Sequence, residues 1–143
     1  MQRLACCSVL VLVAAGCGNN QEAELSKGPD IPTWPGLAAL KQEDMLRPIV
    51  MGAGRGNLAI VKEQVLTPRF QEAFGKFEAE PIPSKYATPA RTAAREEVIK
   101  NFKALIEGAK SGASDEDLKA AALAGNKALG VLAEPTTAPA PAK

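Results

Sequence analysis

An all-α body is predicted by three observations. Apolar residues recur at helical spacing in several windows, cap-then-proline or Ser-x-x-Asp signals precede three of them, and no segment alternates with a period of two over a strand's length. The expected architecture is a small helical bundle or cluster of four to five helices, with a disordered N-terminal tether and a disordered C-terminal tail. An up-and-down bundle is favoured, with an irregular cluster as the alternative.

The folded region is entered through Ile31-Pro32-Thr33-Trp34-Pro35-Gly36. From about Leu37 to Met51 the inward positions are Leu37, Leu40, Met45 and Ile49. Pro48 weakens the end of that helix by removing a backbone donor, and Gly52, Gly54 and Gly56 then break or kink it. A second helix, from about Asn57 to Leu66, turns Leu58, Val61 and Val65 inward. Thr67-Pro68 reads as an N-cap followed by proline at the first helical position, opening a helix that reaches about Ala79. Its Phe70, Phe74 and Phe77 share one face. That stripe is read as core, with an exposed groove as the alternative, because a small helical domain with few aromatic residues spends them inside.

Residues 80–87 carry Pro81 and Pro83 and form a linker, and Thr88-Pro89 repeats the cap-then-proline signal. The most regular helix comes next, from Pro89 to Lys110, with Val98, Phe102, Leu105 and Ala109 on its inner stripe and Ile99 and Ile106 widening it. Ser111-Gly112-Ala113 ends it. Ser114 and Asp117 resemble a capping box with Asp in place of Glu. The last helix, from Asp115 to about Ala133, turns Leu118, Ala122, Gly125, Leu129 and Leu132 inward and keeps its acids in the first turn, where the helix dipole favours them. The final two helices are expected to form an antiparallel hairpin packed on the phenylalanine face. Ala121, Gly125 and Ala128 would allow close helix approach, within the domain in preference to between two copies.

The first seventeen residues, MQRLACCSVLVLVAAGC, place Arg3 before an uninterrupted apolar or small run from Leu4 to Gly16. The run has the length of a signal-peptide core and falls short of the roughly 20 residues that span a bilayer, which argues against an uncut transmembrane anchor. Ala14-Ala15-Gly16-Cys17 resembles the bacterial lipobox, with Ala14 where leucine is usual. The resemblance implies a bacterial lipoprotein precursor, cut between Gly16 and Cys17 and carrying diacylglyceryl and palmitate-type lipid on Cys17. An ordinary secretory signal cut near Ala15 is the competing reading. Gly18 after the cysteine implies an outer-membrane destination facing the periplasm. The resemblance ends at the signal, and no family is recognised for the mature domain. The expected organisation is a signal peptide over 1–16, a lipidated tether and entry segment over 17–35, a helical domain over 36–133, and a Pro/Ala-rich tail over 134–143.

Composition narrows the chemistry. Loss of Arg3 lowers the basic count from 17 to 16, equal to the 16 acids, and no basic patch stands out, so a nucleic-acid partner is not expected. Cys6 and Cys7 leave with the signal and Cys17 takes the lipid, so the mature chain has no cysteine pair for a disulfide. Histidine is absent, which removes the commonest general base and metal ligand. No nucleophile with a base is found, and Glu96 and Glu97, adjacent on a helix, point apart. Catalytic, cofactor-binding and metal residues are therefore assigned to none, and the protein is expected not to be an enzyme.

Two local patterns invite sharper readings. Pro48 to Ala59 superficially resembles a glycine-rich phosphate loop, yet Asn57 stands where the third glycine belongs and no βαβ unit surrounds it. Asp115-Glu116-Asp117 lacks the spacing of a calcium loop and is explained by helix capping. The expected function is a membrane-anchored envelope lipoprotein with a non-catalytic helical binding or scaffold domain, its partner an envelope component. One alternative is a structural tether from the outer membrane to peptidoglycan through Lys143, resembling the murein lipoprotein at its two ends only. A further one is a carboxylate-only enzyme or a phosphate binder at the glycine segment.

Overall fold

The computed structural model describes residues 30–136. Gly16, Cys17, the tether up to Pro29 and the tail from Thr137 lie outside them. The described residues form six α-helices: α1 Pro35–Leu40, α2 Glu43–Arg55, α3 Leu58–Leu66, α4 Pro68–Ala79, α5 Pro89–Ser111 and α6 Asp115–Leu132, with a 3₁₀ turn at Ser84–Tyr86. No strand is formed among the described residues, and the fold is an all-α helical bundle. The region expected as one helix over Leu37–Met51 divides at Lys41 and Gln42 into α1 and α2.

The caps stand where the side-chain chemistry puts them. Thr67 accepts from the Phe70 N–H at 3.3 Å, Thr88 from the Arg91 N–H at 3.2 Å and Ser114 from the Asp117 N–H at 3.1 Å, each satisfying a donor that the first helical turn leaves free. The capping box is only half of the usual reciprocal pair. Asp117 accepts from the Ser114 hydroxyl at 2.5 Å and not from the Ser114 backbone, since aspartate is one methylene shorter than glutamate. Gly112, with φ of +77°, closes α5 in a left-handed turn that an L side chain would strain.

α5 and α6 form the antiparallel hairpin. They come close because glycine stands where a side chain would intrude: a Cβ on Gly125 would lie 2.7 Å from the Phe102 ring, and one on Gly108 would lie 2.9 Å from Leu118. Phe102 fills the space Gly125 leaves and crosses to α4, meeting Phe70 at 5.7 Å and Phe74 at 6.1 Å, edge to face in both pairs. This is a favoured arrangement of aromatic quadrupoles. All four phenylalanines, Trp34 and Tyr86 are buried, so the Phe70/Phe74/Phe77 stripe is core. α2 and α3 pack together and against the hairpin, whereas α1 lies along α4 instead of α2. The α1–α4 approach again needs a glycine. A Cβ on Gly36 would sit 2.9 Å from the Phe77 Cα, and the Gly36 N–H donates to the Glu80 carboxylate at 2.5 Å.

This arrangement predicts opposite signs for two glycine substitutions on α6. Gly125→Ala gains about 1 kcal/mol of helix propensity but overpacks a pinned ring, at a cost of about 1–3 kcal/mol, so the net effect is destabilising. Gly130→Ala, whose Cβ meets nothing within 4 Å, keeps the propensity gain and stabilises. Phe102→Ala, which opens a cavity at a fully buried site, costs about 3–5 kcal/mol. Thermal unfolding of the three variants checks the order: Gly130→Ala above wild type, Gly125→Ala below it, Phe102→Ala lowest.

Candidate functional site: the α5–α6 groove

An apolar groove opens on the outer side of the hairpin. Its walls are Ala90, Ala93, Ala94 and Glu97 of α5 and Ala124, Lys127, Ala128 and Val131 of α6, enclosing about 340 Å³. Alanines spaced three or four apart on both helices leave each ridge one methyl high, so two helices in contact still leave a furrow. Ala94 and Ala128 form the buried floor, Ala90, Ala93 and Ala124 are exposed, and Glu97 and Lys127 supply one charge of each sign. Glu97 also faces Lys100 at 3.7 Å and accepts from the Asn101 amide. The groove offers apolar contact with a polar edge and holds no nucleophile–base pair.

The small-residue run read from the sequence is used inside the domain. Gly125 seats Phe102, Ala128 floors the groove and Ala121 packs half-buried against the core. The α5 wall, by contrast, was missed by sequence reasoning. Ala90, Ala93 and Ala94 become informative only when α6 is laid antiparallel beside them, and no local pattern in α5 announces that pairing.

The glycine segment is laid out differently from a phosphate loop. Gly52 and Gly54 lie inside α2, where their amides are engaged in helical hydrogen bonding. The break comes at Gly56, with φ of +73°. The Asn57 N–H donates to the Gly52 carbonyl at 2.8 Å and the Gly56 N–H to the Ala53 carbonyl at 3.3 Å, a Schellman turn that satisfies the last carbonyls of α2. The N-terminus of α3 is capped by Asn57 itself, which accepts from the Ile60 N–H at 3.5 Å. Gly52 is required for packing, because its Cβ would lie 2.9 Å from Val61 Cγ2. Arg55 is exposed at the edge of a depression shared with Pro48, Met51 and Ile60.

The acids at the start of α6 are likewise occupied: Asp115 pairs with Lys62 at 3.1 Å, and Asp117 holds Ser114. Among the described residues no group of three metal-ligating side chains converges. Lys85, over the Tyr86 ring at 4.2 Å, is exposed and has its pKa raised, first by hydrogen bonding with the Tyr86 side chain.

No protein-family model, curated protein or solved structure matches this chain.

The glycine segment yields a direct test. Gly56→Ala forces an L side chain into the left-handed region and destabilises by about 1–2 kcal/mol, whereas Arg55→Ala leaves stability unchanged. Thermal-shift titrations with nucleotides, phosphate and sulfate are expected to be flat for both wild type and Arg55→Ala. Saturable stabilisation that disappears in Arg55→Ala would make this segment an anion site.

Proposed function

We propose that the chain is a lipid-anchored protein of the bacterial envelope, held by lipid on Cys17 at the outer membrane and facing the periplasm. Its helical body is a non-catalytic binding module for another envelope component. The anchor reading rests on the segment Ala14-Ala15-Gly16-Cys17 and the apolar run before it. No helix among the described residues is long and apolar enough to cross a membrane, so on this reading the lipid supplies the attachment.

The observation that carries the module reading is the meeting of the two ends of the body. Asp30 and Thr136 form an antiparallel bridge, with the Thr136 N–H donating to the Asp30 carbonyl at 3.0 Å. A strut between two surfaces gains reach from a body that separates its ends. Here the body adds nothing to the span and hangs from one pole, leaving its lateral faces, the α5–α6 groove among them, available to a partner. This geometry supports a pendant binding domain over a wall tether through Lys143.

Two measurements test the proposal. Cys17→Ala is expected to abolish lipid labelling and to leave uncut precursor or soluble protein; unchanged labelling and membrane retention would sink the anchor. Detergent-solubilised envelopes are then captured on the lipidated protein and on an Ala124→Glu variant, which places a charge in the groove at an exposed position. The expected outcome is a partner held by wild type and lost from the variant, with muramidase treatment changing nothing. Protein released only as a sugar-peptide conjugate after muramidase would establish the wall tether instead.

A further inference from the structure

Arg91 is the buried charged residue of the described body, 7 % exposed. No carboxylate lies within 4 Å of its guanidinium among the described residues. A buried cation without an anionic partner is costly unless other oxygens replace its hydration. Three do so. Nη1 donates to the Tyr86 carbonyl at 3.2 Å, and Nη2 donates to the Glu134 carbonyl at 2.8 Å and to Thr136 Oγ1 at 3.3 Å. Glu134 and Thr136 lie just past the end of α6, whose C-terminal carbonyls favour a cation.

The network closes on itself. Thr136 donates its N–H to the Asp30 carbonyl, Asp30 Oδ1 accepts from the Tyr86 hydroxyl at 3.1 Å, and the Tyr86 carbonyl returns to Arg91. Arg91, Thr136, Asp30 and Tyr86 thus form a ring of hydrogen bonds between segments far apart in sequence. Around the ring, Trp34 and Tyr86 are buried with their rings 6.4 Å apart, whereas Ile31 is 55 % exposed, the indole Nε1 of Trp34 has no partner among the described residues, and Glu134, Pro135 and Thr136 line a depression of about 280 Å³. The body proper resumes at Gly36, tied to Glu80.

We propose that this ring is a latch. It closes the entry segment 30–34 and the strap 134–136 together, as one unit that opens while the six helices stay folded. Arg91 loses two of its three acceptors when the strap lifts, so strap and entry segment release as one. The latch does not depend on the anchor reading.

Hydrogen exchange followed by mass spectrometry on the full chain, with Trp34 fluorescence as a second readout, tests it. In Arg91→Ala, exchange is expected to rise at least tenfold in the peptide covering 134–136, whose Glu134 and Thr136 amides are bonded, and Trp34 emission is expected to shift to the red as the entry segment opens, while peptides covering Phe102 and Leu129 keep wild-type protection. Arg91→Lys, whose single ammonium lacks the planar fork that places Nη1 and Nη2 on acceptors from two segments, shifts exchange in the same direction. Faster strap exchange with unchanged Trp34 emission, or a rise that spreads through α5 and α6 in step, overturns the proposal. Should Arg91→Ala not fold, Tyr86→Phe decides. That variant removes only the hydroxyl bound to Asp30, and it must accelerate exchange in the strap, which the hydroxyl does not touch. An unchanged strap refutes the latch.

Discussion

The edge-on insertion of Phe102 between α6 and α4 is the contact on which the rest of the fold depends. The chain has few large side chains to spend, and alanine and glycine fill much of α5 and α6. Small residues give close helix approach but little apolar area each, so the stabilising area is concentrated in a few rings. Gly125 admits Phe102, Phe102 meets Phe70 and Phe74, and on the same helix Phe77 lies against Gly36 and so seats α1. Two glycines bracket one aromatic row. A side chain at either end of it moves a whole helix, which is why the hairpin, α4 and α1 have one mutual arrangement.

The economy that builds this core also shapes the surface. Where the alanines of α5 and α6 face inward they let the helices touch; where they face outward they leave the furrow between Ala93 and Ala124. Most polar side chains near helix ends are used locally. Thr67, Thr88, Ser114 and Asn57 cap helices, and Asp117 and Glu80 accept from neighbouring donors. Spent in this way, such groups hold helix ends and do not converge on a substrate. The α5–α6 groove, edged by Glu97 and Lys127, is the surface that the proposed binding module offers a partner.

Periodicity and capping made most helices legible, because both act within a few residues. The inward positions of α3, α4 and α6, the Val98, Phe102 and Leu105 positions of α5 and the three hydroxyl caps follow from spacing and side-chain chemistry alone, whereas Ala109, expected on the α5 stripe, is half-buried and Gly108 beside it is buried. Where local signals conflicted with packing, packing prevailed. Pro48 reads locally as a weakened helix end, yet α2 runs through it to Arg55, because Met45, Ile49, Gly52 and Ala53 continue one buried face on both sides of it. The break at Lys41 and Gln42 carries no glycine or proline and had no local announcement. It lies where α1, drawn onto α4, parts from α2, which packs on α3. The pole was wholly illegible. Glu134, Pro135 and Thr136 read by composition as tail, and the partners of Glu134 and Thr136, Arg91 and Asp30, are separated from them by 43 residues or more, beyond the reach of any helical or turn pattern.

The pole and the groove are physically continuous, which bears on how a tethered module would work. Ala90 and Val131 line both the depression beneath the strap and the end of the α5–α6 furrow. On the proposed anchor reading, the 13 residue steps from Cys17 to Asp30 reach at most about 45 Å, so the pole stays within that distance of the lipid. A partner entering the furrow from that end meets the strap first. Lifting the strap would lengthen the groove and free the entry segment in one movement, because the guanidinium that holds the one also orders the carbonyl of Tyr86, whose hydroxyl holds the other. On that reading Arg91, which does not line the groove, links its strap end to the entry segment through Glu134, Thr136 and Tyr86.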